Sequence, residues 1–139
     1  MSGPFSAMDV SATGVGFSQF WINTISHNIA NVNTVTSTDQ VPFKSFQVVA
    51  RERIDGDLAR PGSGVEVAAV PRQDMENPIV WDPDHPLADE DGVVVLPAVD
   101  IAVQMSDLII AQRSLQANVR ALRSAEEAYR SALAIGSSR

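Results

Sequence analysis

Residues 99–136 read VDIAVQMSDLIIAQRSLQANVRALRSAEEAYRSALAIG, and this stretch decides the fold. Ile101, Leu108, Leu115, Leu122 and Tyr129 recur every seven residues, with Met105, Val119 and Leu133 on the companion line. Gln112 and Glu126 interrupt that second line. A seven-residue apolar repeat sustained this long predicts a packed helix of coiled-coil type from Val99 to Ile135, about 55 Å long. Pro97 ahead of it and Gly136 after its last apolar residue supply start and stop signals.

A helix so patterned needs a partner, and the N-terminal segment offers one. From about Ser6 to Asn31, the residues Met8, Val15, Ile22 and Ile29 are seven apart, with Ile25 and Val32 on the adjoining line. Ser11 and Ser18 hold that line earlier on, so its first half is weak. Gly14 and Gly16 weaken the helix further, by roughly 1 kcal/mol each relative to Ala. Phe5, Phe17, Phe20 and Trp21 lie off the seam. One partner helix does not bury them all, so further partners are expected.

The middle of the chain is of another kind. Seven of the eight prolines (Pro42, Pro61, Pro71, Pro78, Pro83, Pro86 and Pro97) fall there, which confines long helices to the two ends. Phe43 to Ala50 and Val65 to Val70 read as strands, the second preceded by a Gly62-Ser63-Gly64 turn, and Val93 to Leu96 is a shorter third candidate. Thr34 to Asp39 reads as a polar loop. The expected fold is therefore mainly α with a small β middle: long N- and C-terminal helices pairing as a coiled-coil-like hairpin, with a β/loop arm or small domain between them. The corresponding division is 1–33, an N-terminal helix; 34–98, a β-rich middle with an acidic Pro-rich loop; and 99–139, a C-terminal helix.

Composition narrows the function. Of 139 residues 45% are hydrophobic and 19% charged, so the chain is expected to fold, and its net charge of −7 argues against a phosphate-backbone binder. The charge is local. Seven carboxylates (Asp74, Glu76, Asp82, Asp84, Asp89, Glu90 and Asp91) occur with no Lys or Arg among them, whereas Asp107 to Arg139 leans basic. There is no cysteine, which removes disulfides and thiolate metal sites. The first Lys or Arg is Lys44, and no apolar run approaches a transmembrane span, so neither a Sec-type signal peptide nor membrane insertion is expected.

Catalysis finds little to work with. There are two histidines, His27 and His85, and neither a G-x-S-x-G nor a phosphate-binding Gly-rich loop accompanies them. His27, mid-helix, reads as a packing or surface residue. The acidic run Asp82 to Asp91 lacks EF-hand spacing and is stiffened by prolines, so a solvated loop is expected in preference to a Ca²⁺ site. No enzyme activity, metal or cofactor is expected. The polar residues of interest are Asn28, Asn31 and Asn33 at the end of the first helix, and Asn118 beside the seam of the second. Asn is suited to helix ends and, near a seam, to fixing register. Three asparagines around an apolar seam suggest a shaped surface as well as a cap.

The order of motifs resembles the flagellar axial proteins, the rod and hook family, and within it the proximal rod members. His27 to Thr34 (HNIANVNT) resembles the family's N-N-I-A-N-x-N-T close of the first helix; Pro42-Phe43-Lys44 and Gly64-Val65-Glu66-Val67 (G-V-x-V) follow in order. Asp82 to Gly92 matches D-P-x-H-P-x-A-D-x-x-G residue for residue, and Gln112 to Val119 with Ala132 to Gly136 resemble the final helix. The sequence departs at Leu96-Pro97-Ala98-Val99-Asp100, where the family has Y-P-N-V-N, and at Leu115, where an aromatic is common.

The resemblance implies a structural subunit, exported by the flagellar type III apparatus without a cleaved signal. Its terminal helices would stack with those of neighbours into the rod, which transmits torque and encloses the export channel. The implied partners are copies of itself, other rod subunits of the FlgB, FlgF and FliE-like kinds, and the export apparatus, with no nucleic acid. The implied location is the basal body, in the periplasm or cell-wall space. The expected assembly interface comprises Met8, Val15, Ile22, Ile25, Asn28, Ile29, Asn31, Val32 and Asn33, with Leu108, Leu115, Asn118, Val119, Leu122, Tyr129 and Leu133. The competing reading is a soluble helical-hairpin adaptor or chaperone that forms no polymer.

Overall fold

The computed structural model describes residues 4–54 and 62–137, with side chains from 6 to 54 and 62 to 136. The Phe5 side chain, Pro61 and Arg139 lie outside that range. Two helices frame the molecule: α1 (Pro4–Ala30) and α2 (Ile101–Ser137), of 27 and 37 residues, or about 40 and 55 Å. Between them run four short strands: β1 (Val49–Glu52), β2 (Val65–Ala69), β3 (Ile79–Trp81) and β4 (Val93–Val95). They form two separate antiparallel hairpins, β1–β2 and β3–β4. This is the α hairpin with a β middle that the sequence predicts.

The start of α2 is set by Asp100. Its carboxylate accepts the N–H groups of Ala102 (2.9 Å) and Val103 (3.1 Å), two of the donors a helix leaves unpaired at its first turn. Pro97 stands three residues before Asp100 and is buried. Asp therefore does here the capping that Asn does equally well, and the departure from Y-P-N-V-N leaves the cap intact.

The helices run antiparallel in a register fixed by side chains. Asn28 meets Gln104 at 2.8 Å and Ser18 meets Ser114 at 3.1 Å, and Gly14 faces Asn118. A Cβ built on Gly14 would lie 2.5 Å from the Asn118 Oδ1, so the missing side chain is what lets the helices approach here. Extended by the same steps, this register sets Pro4 opposite Ala128. The last turns of α2 thus run beyond the described end of α1, where Leu133 is 55% and Ile135 73% exposed.

The middle segment is moored to this pair at one point above all. The Asn28 side chain is 1% exposed, and its amide nitrogen donates to the carbonyl of Phe46 (2.8 Å) as well as to Gln104. Its amide oxygen accepts the Phe46 N–H (2.9 Å). The side chain thus pairs with both backbone polar groups of one residue, much as a neighbouring strand would. Around it, Ser45 donates its N–H to Ala98, Ala98 to Phe43, and Gln73 to Ser45. Asn77 ties the carbonyls of Phe43 and Leu96 together, both at 2.8 Å.

Two expectations about strands change. Phe43 to Ala50 is regular strand only from Val49; earlier, Lys44 and Phe46 make isolated bridges to Ala98 and Arg72, because they pair with two different segments. Ile79–Trp81 is a strand the sequence reading passed over, since only three apolar residues stand between Pro78 and Pro83. It pairs with Val93–Val95, so the acidic run is the loop of a hairpin. The β1–β2 hairpin returns to α1, where the Thr13 hydroxyl accepts the Val65 N–H (3.0 Å). Gly64 permits this: its φ is +116°, and a Cβ there would overlap Thr13.

Asn28→Leu leaves Gln104 and both polar groups of Phe46 unpaired in the interior. It is expected to destabilise the chain by about 2–4 kcal/mol in thermal or urea unfolding. Asn31, whose amide bonds only to His27 and Thr34 near the surface, provides the comparison. Asn31→Leu should change stability by about 0.5 kcal/mol or less. Equal losses in the two variants would refute the mooring role.

Candidate assembly interface

The line of closest contact between the helices is small and polar. Ser11, Gly14, Ser18, Ile25 and Asn28 are buried on α1, facing Gln104 and Ala111 on α2. Ser114 and Asn118, half-buried, continue the α2 side. The sequence pattern placed the leucines at the centre of the pairing. They flank it instead: Leu108, Leu115, Leu122 and Tyr129 are all half-buried, while Gln104, Ala111 and Asn118 hold the central line. The physical reason is volume. Gly14 and Ser18 draw the backbones together, and a leucine does not fit between them.

Because the inner line is small, the large apolar side chains are left on the outside. Ile101, Val103, Met105, Ile109 and Ile110 are each between 45% and 55% exposed. At 100° per residue they occupy both flanks and the outer face of the first turns of α2. A helix that is apolar on nearly all sides belongs in an interior, and here the chain's own α1 covers one side only. Farther along, the outward face changes to Arg113, Arg120 and Arg123.

The expected interface residues divide accordingly. Ile25 and Asn28 are buried within the chain. Met8, Val15, Ile22, Ile29, Asn31 and Val32 are half-buried along α1 and its end, as are Val119 and Asn118 on α2. Asn33 and Leu133 are exposed. Three further exposed apolar residues of α2, Val103, Ile109 and Ile110, were missed because they lie outside the seven-residue repeat. The signal was present all the same: Leu108-Ile109-Ile110 is a run that no single seam absorbs.

The residues considered for chemistry are engaged otherwise. The His27 ring lies 5.6 Å from Phe43 and 5.7 Å from Phe46, and His85 Nδ1 accepts the Leu87 N–H (3.1 Å) within its loop. Among the described residues, no group of three or more His, Asp or Glu is arranged to hold a metal. Asp89 organises the acidic loop from within. It accepts N–H groups from Val93 (2.8 Å) and Asp91 (3.0 Å) and the hydroxyl of Thr38 (2.9 Å). These bonds, the Val93 N–H foremost, hold its carboxyl below the usual carboxylate range.

Known proteins similar in sequence identify the family. The flagellar basal-body rod protein FlgC of Borreliella burgdorferi is 32% identical, over 96% of this chain and 97% of its own length. The chain belongs to the FlgC family of flagellar basal-body rod proteins. FlgC of Aquifex aeolicus is 34% identical over 90% of this chain and 91% of its own, and that of Salmonella typhimurium 30% over 92% and 94%. Residues 91–135 also match the family described as flagellar basal body rod FlgEFG protein C-terminal, a span covering β4 and nearly all of α2. As a FlgC-family member the chain is a structural subunit of the bacterial flagellar basal-body rod, and the adaptor reading is not favoured.

The Asp89 bonds predict a pH response with a definite sign. A carboxyl depressed in the folded state favours folding above its unfolded value and loses that contribution as pH falls through its folded value. An NMR titration following the Val93 amide should show a midpoint below 3.8, the ordinary Asp value. A midpoint above it would contradict the assignment.

Proposed function

We propose that the chain polymerises through its terminal helices, and that its work is mechanical: it transmits torque along the rod and helps enclose the export channel. The observation that carries this reading is the apolar band from Ile101 to Ile110, which α1 covers on one side only. Burying such side chains contributes about 25 cal/mol per Å² of apolar surface removed from water, and neighbouring subunits would supply the cover. Beyond the described end of α1, Leu133 of α2 is 55% exposed, and in this reading that end of α2 laps the next subunit along the axis.

In this reading residues 1–33 and 99–139 are the axial helices, and 34–98 is an arm lying outside them. The half-buried residues Met8, Val15, Ile22, Ile29, Val32, Leu108, Leu115, Val119, Leu122 and Tyr129 lie along the flanks of the helix pair, where contact with neighbours extends the band. Asn31 and Asn33 shape its end. The partners are copies of the chain and the other rod subunits, of the FlgB, FlgF and FliE-like kinds, delivered by the export apparatus. Export without a cleaved signal places the subunit in the periplasm or cell-wall space. No catalytic step or cofactor enters this role.

Ile110→Asp tests the band. Ile110 is 55% exposed in the single chain, so the substitution should move monomer stability by no more than about 0.5 kcal/mol. In cells it should abolish incorporation into basal bodies, and with it motility. Normal swimming by cells in which Ile110→Asp is the sole copy would reject the interface.

A further inference from the structure

A groove of about 420 Å³ opens beside the end of α1, outside the helix pair. Val41, Phe43 and Phe46 contribute its apolar surface, with the His27 ring against both phenylalanines. Its cations are Lys44, the chain's one lysine, and Arg72, whose guanidinium lies 5.7 Å over the Phe46 ring. Lys44 meets Asp74 at 3.6 Å, but that carboxylate is fully exposed, so the pair is of the weak surface kind that a better partner displaces.

The same chain carries a feature of the opposite chemistry. At the loop end of the β3–β4 hairpin Trp81 is 72% exposed, and Ile79 at its base is 70% exposed. The loop beyond them holds Asp82, Asp84, Glu90 and Asp91 without a Lys or Arg. Within the chain the base of the hairpin is tied to the groove's rim, where the lining residue Thr36 exchanges backbone bonds with Val95 (both 2.9 Å), and the Thr38 hydroxyl bonds Asp89. It is held there while the groove stays open.

We propose that the groove receives the β3–β4 hairpin tip of a second copy of this chain, Trp81 against the aromatic wall and the loop carboxylates against Arg72 and Lys44. This inference rests on the polymer reading above and gives it a contact outside the helices. The groove is preferred to the Arg113, Arg120 and Arg123 face of α2, which offers charge on a convex surface with no aromatic to meet an exposed indole. Concave sites with an apolar wall and a few placed charges are what a Trp-bearing tip needs. Opposite charges on the two surfaces favour the correct pairing, and like charges disfavour tip against tip.

The chain has no native cysteine, so cross-linking is free of background from it. Arg72→Cys and Asp84→Cys copies are expressed together in flagellated cells and oxidised, and the chain's disulfide-linked dimer is sought in isolated basal bodies. A parallel experiment pairs Asp84→Cys with Arg120→Cys. The proposal expects a dimer from the 72 and 84 pair and none from 84 with 120. A dimer only from 84 with 120 would move the tip to α2 and overturn the groove. Basal bodies containing the chain but no 72–84 dimer would also overturn it, leaving the rod reading untouched. Basal bodies lacking the unsubstituted chain would remove the rod reading itself and this inference with it. Motility gives a second readout. Arg72→Glu and Asp84→Arg should each impair swimming and the double variant should recover it, whereas summed defects in the double would reject the contact.

Discussion

The three hydrogen bonds of Asn28 are the constraint on which the rest of the structure depends. One side chain, buried to 1%, joins α1 to α2 through Gln104 and to the middle segment through the peptide of Phe46. Both its amide donations and its amide oxygen are engaged, and no described buried side-chain polar atom is left without a partner. A hydrophobic residue at this place would pack but would not choose a register. The amide does choose one, since sliding α2 by one residue separates it from Gln104, and moving the 43–46 segment separates it from Phe46. Polar groups in an interior are costly when unpaired, and that cost is what makes the arrangement specific.

From that register follows the unusual character of the helix pair. Its inner line is Gly, Ser, Ala, Gln and Asn with Ile25, so little apolar surface is spent inside the chain. In the first ten residues of α2, Ile101, Val103, Met105, Ile109 and Ile110 are left exposed. A hairpin built for independence would reverse this, burying isoleucines inside and presenting charge outside. Here the hydrophobic effect is held in reserve for association, while hydrogen bonds fix the geometry in which the apolar band is presented. The arm contributes differently, through a charged hairpin and an aromatic groove, both displaced from the helix axis.

Much of this was legible in the residues themselves. The two terminal helices follow from proline placement and seven-residue repeats, and family membership from the motifs between His27 and Gly92. The centre of the helix interface was not legible. Periodicity reports which residues share a face, and Leu108, Leu115 and Leu122 do share one, but how closely backbones approach depends on what stands opposite. Gly14, read as a helix-weakening residue, is the one that admits Asn118. Likewise Asn28 reads as part of a cap or surface, because its partner Phe46 is eighteen residues away in a segment whose path no local rule predicts. Ile79–Trp81 was hidden by its brevity, and became a strand only because Val93–Val95 was there to pair with it.

The central claim is that the first turns of α2 are an incomplete surface finished by neighbouring subunits. Hydrogen–deuterium exchange of residues 101–110, compared between purified monomer and isolated basal bodies, tests it most directly. Weak amide protection in the free chain, rising by orders of magnitude on assembly, is the predicted result. Protection in the monomer already equal to that in the rod would contradict it, because those turns would then need nothing from a neighbour.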